Sequence, residues 1–144
     1  MLITKTRNIF DEPGDAVCVT TNGVVKANGE AVMGAGIAKE ANIRYNVAAV
    51  LGCRLTASGN HCYVLGKFDG KNLVSFPTKH DWRNDSSLEL IEQSCHELVE
   101  LADNNHWHVI LLPMVGCGCG KLDFATVNNL LSSILGDRFI LCVR

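Results

Sequence analysis

The sequence predicts an α/β layered fold, on three observations. AVCVTT (16–21) reads as a buried strand, and HVILLPMV (108–115) is a continuous apolar run, the pattern of a strand covered on both faces. Segments with helical periodicity lie between and after them, so that strands and helices alternate. Each run is also followed by a glycine-containing stretch that leads into a helical segment. At 144 residues the chain is expected to be one domain, 1–144, burying roughly 70% of its unfolded surface.

In chain order, LITKTRNI reads as a first strand and AVCVTT as a buried second one. AGIAKEANIRYN reads as a helix. HCYVLGKF and NLVSFP read as two strands joined by Asp69-Gly70, a hairpin-type turn signal. Ser86 followed by Glu89 has the spacing of a capping box, opening a helix whose Ile91, Cys95, Leu98 and Ala102 share one face. HVILLPMV follows as a buried strand. Asp123 is placed to cap a last helix carrying Val127, Leu130, Leu131 and Ile134, with Gly136 placed to end it, and FILCV closes the chain as a strand. No linker, repeat or low-complexity segment interrupts this order.

Composition removes several function classes. A formal net charge of −2 argues against broad nucleic-acid binding, so any nucleic acid involved has to be recognised through something other than its backbone. No apolar run approaches the ~20 residues that span a bilayer, and MLITKTRNIF does not read as a signal peptide, so the expectation is a cytoplasmic protein without a membrane partner. Seven cysteines, an odd number, fit reduced thiols better than a disulfide framework, and Cys18 and Cys142 sit in apolar runs as small hydrophobes.

LLPMVGCGCGKLDF interleaves Gly116, Gly118 and Gly120 with Cys117 and Cys119. It leaves a buried strand and enters a helix, the place where open α/β sheets bind ligands. Glycines there let the backbone approach a ligand and turn N–H groups toward it, and the helix N-terminus favours an anion. VMGAGIAKEA repeats the logic with Gly34 and Gly36 before a helix. The pair points to a phosphate-bearing ligand. The nucleotide-fold alternatives fail on spacing: MGAGIAK lacks the third small residue of the dinucleotide fingerprint, and GCGCGKL is one residue short of a Walker A loop, with Leu122 where Ser or Thr would hold magnesium. Cys117-x-Cys119 has neither zinc-ribbon nor redox-pair spacing, so no metal and no cofactor is expected.

Asn22 after the second strand, then MGAGIA, FPTK and PMVGCGCGKLDF, in that order, resemble a macro domain, the ADP-ribose-binding module. The likeness covers nearly the whole chain. It is closest to the branch holding terminal ADP-ribose protein glycohydrolase and the antitoxin that removes ADP-ribose from DNA, with Trp82-Arg83 after FPTK pointing to the antitoxin-like side. The yeast ADP-ribose-1″-phosphate phosphatase is a more distant relative. The resemblance implies a three-layer α/β/α fold with a mixed central sheet.

It also implies roles, position by position. Asn8-Ile9 stand where the family usually has an Asp that accepts from the adenine amino group, so Asn8 would accept without the charge. Asn22 would face the distal ribose at the catalytic centre. The backbone of Gly34, Ala35, Gly36 and Ile37 would line the distal ribose and diphosphate, and that of Gly116, Cys117, Gly118, Cys119 and Gly120 would close over the diphosphate from the other side. Lys79 matches the catalytic lysine of this branch. The acid that some members carry two positions beyond GCG is here Gly120, and the first acid downstream is Asp123.

Each residue also has a plainer reading. Lys79 can be a solvated lysine, Asn22 a turn residue, Asn8 a strand-end cap, Asp123 a helix N-cap, Trp82 a half-buried packing residue, and His80-Asp81 neighbours that point apart. The expected function is an ADP-ribosyl hydrolase acting on a modified DNA base or protein side chain, with ADP-ribose or its conjugate as partner and nucleic acid only as its carrier. The alternatives are a non-catalytic reader of ADP-ribose or a related metabolite, and an ADP-ribose-1″-phosphate phosphatase.

Overall fold

The computed structural model describes residues 1–117 and 120–144. Its strands are β1 (Leu2–Lys5), β2 (Ala16–Thr21), β3 (Val64–Phe68), β4 (Lys71–Pro77), β5 (Ile110–Leu112) and β6 (Phe139–Val143); its helices are α1 (Gly36–Tyr45), α2 (Ala48–Ser58), α3 (Leu88–Asn105) and α4 (Phe124–Ile134). The strands form one sheet in the order β1-β6-β5-β2-β4-β3. The pairs from β1 to β4 run parallel and β3 runs antiparallel to β4, which makes the sheet mixed.

The burial of AVCVTT now has its reason. Ala16 and Cys18 pack with Ile91, Cys95, Leu98, Val127 and Leu131 of α3 and α4. Val17 and Val19 pack with Ala38 and Ala41 of α1 and Leu51 and Leu55 of α2. Successive side chains of a strand point to opposite faces, so a strand between two helical layers needs apolar residues at every position. The same alternation divides Leu111 from Ile110 and Leu112 on β5. The architecture is therefore three layers, α/β/α.

The β3–β4 hairpin turns at Asp69 and Gly70, whose φ values of 52° and 79° suit the primed turn that matches strand twist. Asp123 caps α4 as expected, accepting from the Thr126 N–H at 3.1 Å. The start of α3 differs by one residue. Ser87, not Ser86, is the N-cap and accepts from Leu90 N–H, while Ser86 is buried and gives its own N–H to the Gly120 carbonyl. Gly136 is not a left-handed terminator: α4 ends at Ile134 with Leu135 in extended backbone.

Strand β5 uses only three residues of its apolar run, and Pro113, which has no N–H to give a ladder, follows it. The first strand stops at Lys5, and Asn8 caps a single 3-10 turn at Ile9–Asp11. Helix α2 is an addition to the sequence reading. Its first amide, Ala48 N–H, is capped at 2.9 Å by Asn42 Oδ1 from the end of α1, so it carries no start signal of its own.

Candidate functional site

The connection leaving β2 runs through α1 and α2 to the β4–β3 side of the sheet, and the one leaving β5 runs through α4 to β6 on the other side. β2 and β5 are neighbours, so a crevice opens at their carboxyl ends, the position where such sheets bind ligands. The segments after β2, β4 and β5 and the N-terminus of α1 all arrive there.

Beyond the last paired residues of β2 and β4, Thr21 and Pro77, the two exits stay joined. Thr78 N–H donates to the Thr21 carbonyl at 3.1 Å, and Gly23 N–H donates to the His80 carbonyl at 3.1 Å. Asn22 and Lys79 lie between these two bonds, on adjacent segments. Asn60 Nδ2 adds a third tie, to the Lys79 carbonyl at 3.0 Å. The structure thus brings the two expected catalytic residues together. Lys79 is partly exposed, and its Nζ lies 3.5 Å from the Trp82 carbonyl oxygen.

The Asn22 side chain is already at work in its own loop. Its Nδ2 donates to Val32 O at 3.0 Å, and its Oδ1 accepts from Val24 N–H at 3.0 Å. The first of these bonds, with Val32 N–H to Val24 O at 3.1 Å and Lys26 N–H to Glu30 O at 2.8 Å, closes residues 22–32 into a hairpin, with a bridge between Val25 and Ala31. A carboxamide has two N–H groups and two lone pairs, so one of each is still beyond these bonds. The hairpin is set against α2 at Gly52, where a Cβ would stand 1.9 Å from the Gly29 carbonyl oxygen.

Gly34, Ala35 and Gly36 are exposed at the crevice, and Ile37 is half-buried. Among the described residues, a Cβ on Gly34 or Gly36 meets no atom within 4 Å. Neither glycine spares a clash with a described residue, although Gly36 also adopts φ 57°. Ala35 is the N-cap of α1 and makes no side-chain capping bond, which leaves the helix start as a place for an incoming acceptor.

On the opposite wall Gly116 (φ 71°) and Gly120 are needed for packing. A Cβ on Gly120 would stand 2.2 Å from Ser86 Oγ and 2.5 Å from Gly116 O, and one on Gly116 would stand 3.1 Å from Ile91 Cδ1. Leu122 N–H closes the turn onto Gly116 O at 2.9 Å. Gly118 and Cys119 lie outside the described residues. Cys117 directs its thiol to the Val115 carbonyl, and burial, then the Asp123 charge, push its pKa up, away from thiolate chemistry.

Asn8 accepts from Phe10 N–H at 3.0 Å as the cap of the 3-10 turn, and Ile9 is buried. The capping role of Asn8 is therefore present, with one oxygen lone pair outside it.

Gly23, Asn60 and Ser86 are site-building residues that sequence reasoning missed. Their roles depend on partners far along the chain, and short-range pattern carries no signal for them. Three buried oxygens around the crevice, Thr21 Oγ1, Asn60 Oδ1 and Ser86 Oγ, have no hydrogen-bond partner among the described residues.

Comparison with known proteins identifies the family and the fold. The macro domain family model matches residues 24–131. Two mycobacterial proteins called DNA ADP-ribosyl glycohydrolase, from Mycobacterium bovis and Mycobacterium tuberculosis, are 30% identical over 128 residues, covering 83% of this chain and 36% of theirs. The chain thus spans just over a third of the length of these relatives. Among solved structures, the macrodomain of Mycobacterium tuberculosis DarG superposes with a TM-score of 0.83 at 24% identity, over 99% of this chain and 98% of that one. Thermosipho africanus DarTG in complex with ADP-ribose superposes with a TM-score of 0.81 at 20% identity, over 100% of this chain and 42% of that one.

Proposed function

Because the chain belongs to the macro domain family, we propose that it binds ADP-ribose in the β2/β5 crevice and hydrolyses the bond between the distal ribose and an attached group. The observation that carries this reading is the joining of the β2 and β4 exits, which sets Asn22 beside Lys79 at the mouth of a glycine-lined crevice. The diphosphate would take the N-terminus of α1 past Gly34 and Gly36 on one side and the segment after β5, at Gly116 and Gly120, on the other. Oriented amides suit a diphosphate without a metal ion.

In the proposed chemistry the unprotonated Lys79 Nζ attacks C1″. The bond from C1″ to the attached group breaks, and that group leaves with the electron pair and takes up a proton. The attacking nitrogen gives up one proton as the bond forms; the C1″–O4″ bond then breaks, O4″ keeps its electron pair and takes the second nitrogen proton, and an imine joins Nζ to C1″. Water then adds to the imine and releases ADP-ribose and free Lys79. The orienting partner is Asn22, whose carboxamide serves its own loop with one N–H and one lone pair and would turn the remaining pair to the ribose. The mycobacterial relatives' name makes a modified DNA base the first substrate to try.

The test is a turnover assay on ADP-ribosylated oligonucleotide, mono-ADP-ribosylated protein and ADP-ribose-1″-phosphate, with Lys79→Ala alongside. The expected result is release of ADP-ribose from at least one of the two conjugates, abolished in Lys79→Ala while its ADP-ribose affinity stays within a few-fold. Wild-type turnover by Lys79→Ala would overturn it. One observation favours the second reading, a non-catalytic ADP-ribose reader: both polar atoms of Asn22 are engaged in holding their own loop. Tight ADP-ribose binding with no turnover of any of the three substrates would establish that reading.

A further inference from the structure

Two tryptophans occupy opposite environments in this chain. Trp107 is 5% exposed and sits in the core, whereas Trp82 is 51% exposed and belongs to neither core cluster. An indole in water forgoes a large burial term, so an exposed one held in a fixed loop near a reaction centre calls for a partner.

The loop is fixed. Asp81 accepts from Arg83 three times, from the backbone N–H and Nε at 2.9 Å each and from Nη2 at 2.6 Å. Asn84 N–H closes a turn onto the Asp81 carbonyl at 3.1 Å. Arg83 then rests its guanidinium 5.6 Å from the centre of the Trp82 ring. The Trp82 carbonyl is itself the neighbour of Lys79 Nζ at 3.5 Å. An aromatic face backed by a planar cation is thereby carried three residues from the lysine that would attack C1″.

We infer that Trp82, backed by Arg83, stacks on a nucleobase flanking the ADP-ribosylated position of a single-stranded nucleic acid; this rests on the reading of the site as an ADP-ribosyl hydrolase. The charge balance favours a base over the phosphate backbone. A net charge of −2 argues against broad backbone binding, and Arg83 is already paired to Asp81. A shallow depression of about 310 Å³ beside His80 is lined by Glu89, Leu90 and Gln93, where a carboxylate repels phosphate while an amide and a carboxylate can meet a base edge. Stacking also selects single strands, because both faces of a base inside a duplex are already covered by its neighbours.

The experiment uses Lys79→Ala protein, so that conjugates survive, and measures the affinity of ADP-ribose and of a single-stranded ADP-ribosylated oligonucleotide. The oligonucleotide should bind about 10-fold more tightly than ADP-ribose, the range one stacked base supplies. Adding Trp82→Ala should remove that gain, Trp82→Phe should restore most of it, and neither should shift ADP-ribose affinity more than two-fold or lower the melting temperature. With Lys79 intact, Trp82→Ala should raise KM for the oligonucleotide and leave kcat nearly unchanged. Equal affinity for the two ligands, or a Trp82→Ala protein that keeps the gain, overturns the inference and leaves the hydrolase reading standing. Absence of ADP-ribose binding overturns both.

Discussion

Gly23 donates its backbone N–H to the carbonyl oxygen of His80 at 3.1 Å, and a Cβ on Gly23 would stand 3.0 Å from that same oxygen. The Asn60 carboxamide would lie 3.1 Å away on the other side. This close approach keeps the Lys79 segment against the end of β2. Gly23→Val should push the segment away while the sheet persists. The expected result is a fall of at least 10-fold in kcat/KM on the preferred conjugate, since displacements near 1 Å can cost about 100-fold. A Gly23→Val enzyme with wild-type kinetics would show that the seam does not position Lys79.

Gly34 separates binding from folding. Its backbone is not left-handed, and an added Cβ meets no described atom within 4 Å. Gly34→Val should therefore leave the melting temperature nearly unchanged. A side chain projecting into the crevice should weaken ADP-ribose by at least 10-fold in isothermal titration. Unchanged affinity would move the ligand away from this loop.

Gly120 should behave in the opposite way. Gly120→Ala drives a methyl into Ser86 Oγ and the Gly116 carbonyl, and the backbone contact cannot be relieved by a rotamer change. A loss of about 1–3 kcal/mol, typical of overpacking, should appear in denaturant melts. Ser86→Gly on top of it should recover only part, because the Gly116 carbonyl remains in place.

At the opposite end of the sheet Asp15 Oδ2 accepts from His108 N–H at 2.7 Å and Val109 N–H at 2.9 Å. These two bonds hold its carboxyl below the usual Asp value. The unfolded chain therefore takes up this proton at higher pH than the folded one. The stabilisation is complete above about pH 4 and disappears as pH falls through the lowered folded value. Asp15→Asn should lose about 1 kcal/mol at neutral pH and show a flatter acid limb in thermal melts. Parallel acid limbs for the two proteins would assign the acid sensitivity elsewhere.

Features governed by near neighbours could be read from the sequence. Uninterrupted apolarity in HVILLPMV reported burial on both faces, Asp69-Gly70 reported the hairpin, and Asp123 reported the start of α4. Helix α2 escaped because its cap comes from Asn42 and because Gly52, a poor helix former, is required by the Gly29 carbonyl. The true cap Ser87 sits beside a serine with better capping-box spacing, and only the burial of Ser86 under Gly120 decides between them. At the crevice, motif likeness pointed to the loops, whereas the tie from Asn60 to Lys79 spans 19 residues and exists only once the fold has formed.

The double coverage of β2 sets a clock as well as a shape. Val17, Cys18 and Val19 are at most 2% exposed, and no local fraying releases a strand held between two helical layers. Their amide protons should exchange with solvent only when the whole domain opens, hours after those of the loops. Asn22 is one residue past the end of that strand, so the start of its loop is anchored beside the slowest-opening part of the molecule, and the geometry it gives the site should outlast every local opening of the loops around it.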